Sequence, residues 1–337
     1  MGPANMSSSV DNVELPASES PQILFWARTD FARTAVLETL AHLTEVSVLC
    51  VQHFTEVLAN LEHTDILVLS NCPDEEARKI LSVVNQPGAR LRAVHFLTAG
   101  RDGFTAAGGF REDLVVSGPE GAIAPVVAEH AIGLALAINR QLLPAYDAMR
   151  SARWDQSFVA GTASLEGGTA LIVGTGAIGR EVARRASAFG MRCIAVTRER
   201  KDDKSFEAVH AISDLPMLLP NADAIILCIA LGPETRHLMS WNEFALCRPS
   251  AVLVNVGRGG LVNHTALEEA LRGGRIAGAG LDVTDPEPLP ERHSLWSAPN
   301  LLITAHYAGA GSHLGERRIA DSVARAINAA STKARQE

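Results

Sequence analysis

Three side chains that could act together on a carbonyl group lie in the last third of the chain. Arg258, Glu287 and His306 each follow an apolar run that reads as a β-strand. A guanidinium can bind a carboxylate with two hydrogen bonds and polarise the neighbouring carbonyl. An imidazole can give a proton to the carbonyl oxygen or remove it again, and a nearby glutamate favours the protonated imidazole. The three residue types therefore indicate reduction of a carbonyl beside a carboxylate, or the reverse oxidation.

Each of these residues, taken alone, also fits an ordinary structural position. His306 could be a packed or surface histidine, Arg258 could tether a glycine-rich loop, and Glu287, which lies between two prolines, could face solvent. The carboxyl ends of parallel strands meet at one edge of an open sheet, where ligands bind. Their shared position after predicted strands favours a site, although the sequence alone does not show that the side chains touch.

A glycine-rich loop provides a place for the hydride donor. Residues 171–173 form an apolar run, GTGAIG follows from Gly174 to Gly179, and a helical pattern begins there. The first glycine allows a tight turn, the second lets the backbone approach a pyrophosphate, and the third lets helix and strand pack closely. Glycine-rich turns are common, but the order strand, loop, helix favours a dinucleotide at the helix N-terminus. The predicted contacts are Gly174, Gly176, Ala177, Ile178 and Gly179.

The end of the next predicted strand bears on the choice of dinucleotide. An acidic residue that would bind the adenosine ribose is missing there, and Thr197, Arg198 and Arg200 occupy the region instead. A hydroxyl and two guanidiniums suit a 2′-phosphate, so we predict NADP(H) as the preferred cofactor, with NAD(H) possible. The alternative is a solvated loop of mixed charge in which Glu199 still reaches the ribose.

These residues need a framework of parallel strands, which the order of apolar runs supplies. Strand-like runs alternate with helical ones through most of the 337 residues, the pattern of an α/β fold with two sheets. A long helix is predicted over residues 124–143 and a last helix over residues 315–330, with Ile319, Val323, Ala326 and Ile327 on its apolar face. The first predicted sheet has a helix at 31–42 and strands at 23–27, 46–51, 65–69 and 91–96. The second has six strands, at 170–173, 193–196, 224–229, 251–256, 277–283 and 301–305.

Composition narrows the possible partners and compartments. The net charge of -8 argues against binding nucleic acid, and the longest apolar run, eight residues, is too short to cross a bilayer. The five cysteines are scattered and include no CxxC pair, so we expect neither disulfides nor a metal site. We therefore expect the protein to be in a reducing cytoplasm. Residues 1–20 are rich in Ser and Pro without a signal-peptide pattern, and we expect them to be disordered.

Three stretches of the sequence resemble the D-isomer-specific 2-hydroxyacid dehydrogenases. They are VGTGAIGREVA, LVNVGRGGLVNHTALEEALRGGRIAGAGLDVTDPEPLP and ITAHYAGA, and the resemblance runs in order from residue 91 to the last helix. It implies that Arg258, Glu287 and His306 are the catalytic set. It further implies that Asp282 faces the nicotinamide carboxamide. Other positions taken over from the family pattern are Val256 and Gly257 for the cofactor, and Ala99, Gly100 and Arg101 for the substrate carboxylate.

The resemblance also implies which parts of the chain form the substrate domain and the dinucleotide-binding domain. Two Rossmann or flavodoxin-like domains would enclose a cleft that closes over the substrate. Residues 21–118 with 307–337 would form the substrate domain, and residues 119–306 the dinucleotide-binding domain. The family's substrates imply a small 2-keto acid such as glyoxylate or hydroxypyruvate, and many members are homodimers.

Several positions depart from the family pattern and leave alternatives open. Arg101 replaces a usual apolar residue, and its side chain could add a cation for a phosphorylated or dicarboxylic substrate, or else face solvent or pair with Asp102. Ala230, Asn263 and Ala308 also differ from the common residues, but none of these changes removes a catalytic group. The alternative functions are a phosphoglycerate dehydrogenase-like enzyme and a dinucleotide-sensing corepressor that acts through protein interactions.

Overall fold

Two compact units make up the part of the chain that the structure, a computed structural model, describes, which is residues 21–334. The first unit contains residues 21–119 and 316–334, and the second contains residues 120–315. Each is built on a sheet whose strands are all parallel, so the predicted α/β class is confirmed. The expected disorder of residues 1–20 lies outside the described residues.

The first unit contains a five-stranded sheet in the order β2-β1-β3-β4-β5. Its central strands are buried on both faces, which is why their sequences do not alternate and are apolar apart from one buried histidine. The strands are β1 (Gln22–Trp26), β2 (Ser47–Val51), β3 (Ile66–Leu69), β4 (Ala93–Phe96) and β5 (Val115–Ser117). The helices are α1 (Arg33–Ala41), α2 (Phe54–Asn60), α3 (Asp74–Val84) and α4 (Asp102–Ala106). The strand β5 was not predicted, because it is a three-residue edge strand that is not buried and so leaves no long apolar run.

The second unit contains a seven-stranded sheet in the order β12-β11-β10-β9-β6-β7-β8. Its strands are β6 (Thr169–Val173), β7 (Arg192–Thr197), β8 (Ala208–Ala211), β9 (Ala224–Leu227), β10 (Val252–Asn255), β11 (Gly278–Leu281) and β12 (Leu301–Ile303). Its helices are α5 (Ala124–Asn139), α6 (Leu142–Arg150), α7 (Ala177–Ala188), α8 (Leu215–Leu218), α9 (Trp241–Leu246) and α10 (His264–Arg272). Six strands were predicted, and the seventh is β8, a short edge strand with one buried residue.

One helix prediction for this unit was wrong in detail. The single helix expected over residues 124–143 is two helices, because Gln141 has a left-handed backbone with φ of 54°. Pro144 accounts for the break: within a continuous helix it would clash with the preceding turn and remove a hydrogen bond, whereas in the first turn of α6 it does neither.

The last helix, α11 (His313–Ala334), adds residues 316–334 to the first unit. Of its four predicted apolar positions, Ile319, Val323 and Ile327 are buried and Ala326 is partly buried. Residues 307–315, which precede or begin this helix, group with the second unit.

No helix within residues 21–334 is long and apolar enough to span a bilayer. All five cysteines are free, and within the same residues no group of three or more His, Cys, Asp or Glu side chains could hold a metal ion.

A buried histidine joins α11 to the sheet of the first unit. His95 in β4 is 2% exposed, and its Nδ1 and Nε2 lie 2.8 Å from Ser117 Oγ and 3.0 Å from Ser322 Oγ. Ser322 donates its own proton to the Ile319 carbonyl, so its oxygen must accept the Nε2 proton of a neutral imidazole. Burial, reinforced by the charges of Arg101 and Arg325, lowers the pKa of His95 to about 4.

The low pKa of His95 predicts acid sensitivity of the fold. In the unfolded chain the imidazole has a pKa of about 6.5, so below that pH the unfolded state binds a proton that the folded state excludes until about pH 4. The stabilisation that the neutral His95 contributes is therefore complete at neutral pH and is lost as the pH falls from about 6.5 to about 4. We expect the free energy of unfolding to fall by about 2 kcal/mol through this group between about pH 7.5 and pH 5.

Urea unfolding of wild type and His95→Gln at both pH values measures this contribution. The variant should lose less stability on acidification than wild type does, and His63→Gln, at an exposed position, should behave as wild type does. An equal loss in His95→Gln and wild type would contradict the assignment.

Candidate active site

The predicted histidine and glutamate are in contact beside the carboxyl ends of β11 and β12. His306 follows β12 and Glu287 lies in the loop after β11, and His306 Nδ1 is 2.5 Å from Glu287 Oε1. The hydrogen bond that His306 Nδ1 donates to Glu287 raises the pKa of His306, while partial burial and the charge of Arg258 oppose the rise. Because Nδ1 faces the glutamate, Nε2 is the atom from which a substrate could receive a proton.

Arg258 is held in the loop that follows β10. The buried side chain of Asn255 fixes this loop, because its Nδ2 donates to the Arg258 carbonyl at 2.9 Å and its Oδ1 accepts from the Gly257 N–H at 3.1 Å. The guanidinium Nη1 donates to the Gly257 carbonyl at 2.7 Å. Arg258, Glu287 and His306 thus lie in one unit, and the charge of Arg258 acts on the imidazole of His306.

Gly259 allows the loop with Arg258 to approach the loop with Glu287. A Cβ at this glycine would lie 2.0 Å from the carbonyl carbon and oxygen of Thr284, closer than any side chain can come. The run Gly257-Arg258-Gly259-Gly260 is the sequence signal for this close approach.

A buried carboxylate fixes the segment that carries His306. Asp282 is 2% exposed, and its Oδ1 accepts from Thr304 Oγ1 at 2.6 Å and from the Tyr307 N–H at 3.1 Å. Its Oδ2 accepts from the Ala308 N–H at 3.1 Å. Both oxygens of Asp282, which the resemblance assigned to the nicotinamide carboxamide, therefore bind the chain around His306.

The glycine loop has the geometry that dinucleotide binding requires. Gly174 has φ of 119°, and a Cβ there would lie 2.8 Å from the Cys228 carbonyl oxygen, so this turn needs glycine. A Cβ on Gly179 would lie 1.9 Å from the Gly174 carbonyl oxygen, whereas a Cβ on Gly176 would meet no atom within 4 Å. The open face at Gly176 beside the N-terminus of α7 fits a pyrophosphate.

The other predicted cofactor contacts occupy the same carboxyl edge. Ala177 is exposed as the first residue of α7, and Ile178 packs partly against the core. Val256 and Gly257 directly follow β10, and a Cβ on Gly257 would lie 2.9 Å from the Ile229 carbonyl oxygen.

A cavity of about 740 Å³ lies beside the glycine loop and the end of β7. Thr197 and Arg198, two of the residues predicted to contact the cofactor, line it together with Glu199, whereas Arg200 is not among its lining residues. Two further cations in its wall, Arg180 and Lys201, were not predicted. The full lining is Thr175, Arg180, Thr197, Arg198, Glu199, Lys201, Asp202, Asp203 and Glu234.

Arg180 is fixed in the wall of this cavity by an ion pair. Its Nε donates to Asp203 Oδ2 at 2.7 Å, and this bond, with hydrogen bonds from Ser205, lowers the pKa of Asp203 to about 2. The first turn of α7 gave no sign of this pairing, because the two residues are 23 positions apart.

The predicted substrate loop belongs to the first unit, where it follows β4. Ala99 is exposed, Gly100 is half-buried, and Thr98 Oγ1 donates weakly to the Gly100 carbonyl at 3.4 Å. The guanidinium of Arg101 lies over the Phe96 ring, 5.0 Å from its centroid, and burial lowers its pKa. Its side chain is therefore packed on the end of β4 rather than extended into solvent.

Comparison with known proteins connects this geometry to one group of enzymes. Residues 132–308 match the family described as "D-isomer specific 2-hydroxyacid dehydrogenase, NAD binding domain". The chain is 35% identical to a glyoxylate reductase of Thermococcus gammatolerans over 66% of this chain and 68% of that protein. It is 30% identical to a D-3-phosphoglycerate dehydrogenase of Methanocaldococcus jannaschii over 89% of this chain, but the match spans only 56% of that longer protein.

A solved structure shows a similar fold over nearly the whole chain. The crystal structure of a D-isomer specific 2-hydroxyacid dehydrogenase family protein from Aeromonas salmonicida has a TM-score of 0.77 and 29% sequence identity. The match covers 91% of this chain and 94% of that one.

The contact between Glu287 and His306 leads to a prediction about protonation. Replacing Glu287 with Gln keeps the side-chain shape but removes the charge that favours the imidazolium, so we expect the pKa of His306 to fall. NMR titration of the histidine resonances, with His306 assigned through a His306→Gln variant, measures the change. Glu291→Gln, an exposed position, is the control, and an unchanged pKa in Glu287→Gln would contradict the role of this contact.

Proposed function

The chain belongs to the D-isomer specific 2-hydroxyacid dehydrogenase family, and from this premise we propose that it reduces a small 2-keto acid such as glyoxylate or hydroxypyruvate. The observation that carries the proposal is the contact between His306 and Glu287 on the sheet that also bears the glycine loop. It supports a proton donor at the edge where a dinucleotide would bind.

Each of the three polar residues has a distinct part in the proposed reaction. A bound NADPH or NADH would supply the hydride. Arg258 binds the substrate carboxylate and polarises the adjacent carbonyl. His306 donates a proton from Nε2 to the carbonyl oxygen as the hydride arrives at the carbon, and Glu287 stabilises the imidazolium before the transfer.

We assign the substrate-binding part to the first unit and the dinucleotide-binding part to the second. The loop of Ala99, Gly100 and Arg101 would contribute backbone N–H groups to the substrate carboxylate. This division follows the predicted domains, residues 21–118 with 307–337 and residues 119–306, except that residues 307–315 pack with the second unit. The hydrogen bonds from Tyr307 and Ala308 to Asp282 explain that difference.

A phosphorylated 2-keto acid is the second candidate substrate. Arg101 places a half-buried cation in the predicted substrate loop, and one relative is named a D-3-phosphoglycerate dehydrogenase. Phosphohydroxypyruvate therefore belongs in the substrate panel beside glyoxylate and hydroxypyruvate.

Initial rates of NADPH and NADH oxidation test the proposed activity. We expect turnover with one or two of glyoxylate, hydroxypyruvate, pyruvate, phenylpyruvate, oxaloacetate and phosphohydroxypyruvate. His306→Gln should lower kcat by roughly 10²–10⁴ with dinucleotide binding nearly unchanged, because only the proton donor is lost. Dinucleotide binding without turnover of any substrate would contradict the proposal and favour the corepressor-like alternative.

We propose NADP(H) as the preferred cofactor, on the support of the cations around the end of β7. Arg198, Arg180 and Lys201 line the cavity there, although acidic residues accompany them. Replacing Arg198 with Ala should raise the KM for NADPH roughly tenfold or more, with a smaller rise for NADH, because a charge-assisted hydrogen bond to the 2′-phosphate is lost. Arg200→Ala, outside the cavity lining, should have a smaller effect. Equal rises for both cofactors in Arg198→Ala would contradict the proposal.

We also propose a homodimer that uses the exposed face of α6. Leu142, Tyr146 and Met149 are spaced for one face of this helix, and Trp154 just beyond it is 94% exposed. Such a group of large apolar side chains is typical of an interface. Light scattering should report a dimer for wild type and a monomer for Met149→Glu, whereas Met217→Glu, exposed on α8, should remain dimeric. A monomeric wild type would contradict the proposal.

The prediction of a reducing, cytoplasmic compartment stays a prediction. The five free cysteines are consistent with it.

A further inference from the structure

We propose that His130 and Thr304 are positioning residues for His306, because together they orient the Asp282 carboxylate that holds the turn presenting the imidazole. The inference rests on the proposed function in treating His306 as the proton donor. His130 lies on α5 and Thr304 directly follows β12, so two distant segments of the second unit meet at Asp282.

The hydrogen-bond directions in this group are determined by counting protons. Thr304 Oγ1 donates its single proton to Asp282 Oδ1 at 2.6 Å. Thr304 Oγ1 is also 2.9 Å from His130 Nε2, and since its proton is used, the oxygen must accept. His130 therefore carries a proton on Nε2, and the chain of donation runs from His130 through Thr304 to Asp282.

The Asp282 carboxylate in turn holds an unfavourable backbone conformation. His306 has φ of 54°, a left-handed conformation that is unfavourable for a residue with a Cβ. The His306 N–H donates to the Asp282 carbonyl at 2.8 Å, and the N–H groups of the next two residues donate to its carboxylate. These bonds keep the turn in a conformation that would otherwise relax.

The side chain of His130 is itself supported at this position. Its imidazole packs edge-on against the Tyr307 ring at a centroid distance of 5.3 Å, and Nε2 lies 3.5 Å from Asp282 Oδ1. Tyr307 follows His306 directly, so His130 contacts the turn at two points, through Thr304 and through this ring.

Disturbing the turn should change the protonation of His306 in a definite direction. Glu287, Arg258 and Asp282 are the charged groups that act on this imidazole, and the hydrogen bond that the imidazole donates to Glu287 has the largest effect on its pKa. A relaxed turn weakens that bond and lowers the pKa. The removal of the Thr304 hydroxyl also leaves the charge of Asp282 less well compensated, which raises the pKa of His306, but Asp282 has the smallest of these effects. The pKa of His306 should therefore fall.

NMR titration of His306 in the full chain tests the inference without requiring turnover. We expect Thr304→Val, which removes both hydrogen bonds, to lower the pKa of His306 by about half a unit or more. His130→Phe, which removes the donor to Thr304, should lower it by less. Thr304→Ser keeps the hydroxyl and should restore the wild-type value. Thr162→Val removes a hydroxyl bonded only to a local carbonyl and should leave the pKa unchanged.

Kinetics provides the second readout. Thr304→Val should lower kcat roughly 10- to 100-fold, with the KM for the keto acid and the dinucleotide affinity little changed, because the imidazole is misplaced while the binding groups remain. An unchanged pKa of His306 in Thr304→Val would overturn the inference. If Thr304→Val does not fold, the pKa of His306 is measured in His130→Phe instead. A lowered pKa of His306 in that variant supports the inference, and an unchanged one overturns it. A wild type without turnover whose pKa still responds to these variants would refute the proposed function alone.

Discussion

The buried carboxylate of Asp282 is the interaction on which the arrangement of the polar edge depends. It lies just beyond β11, and it accepts hydrogen bonds from one side chain and two backbone N–H groups of the segment after β12. A buried carboxylate needs such partners, since its desolvation is otherwise costly. The same bonds hold His306 in a left-handed conformation and so place its imidazole against Glu287. The hydrogen bonds that stabilise the buried charge of Asp282 therefore also orient the proposed proton donor.

Much of the fold could be predicted because its central strands are buried on both faces. The runs at β3 and β9 are continuously apolar and the run at β10 is interrupted only by Asn255, and each was predicted to within two residues of its bounds. The edge strands β5 and β8 escaped detection because they are short and only partly buried. The end of α5 also escaped, because the apolar pattern continues into α6 and only Pro144 marks the change. Local sequence signals are weakest where burial is incomplete.

The site was predictable to the extent that it follows from sheet topology. Parallel strands bring their carboxyl ends to one edge, so the positions of Arg258, Glu287 and His306 after three strands implied a common location. The contacts that orient them could not be predicted in this way, because they join residues far apart in sequence. Thr304 and His130 are 174 positions apart, and Arg180 meets Asp203 across 23. Their types are common on helices and loops, and only the folded chain shows which of them meet.

Single-turnover hydride transfer from NADPH to hydroxypyruvate, followed as a function of pH, tests the central claim most directly. If His306 donates the proton, the rate constant should be constant at low pH and fall as the pH rises through the raised pKa of His306. In the His306→Gln variant the remaining slow transfer should lose this dependence. A wild-type rate constant that does not change with pH, or that keeps its dependence in the variant, would contradict the account.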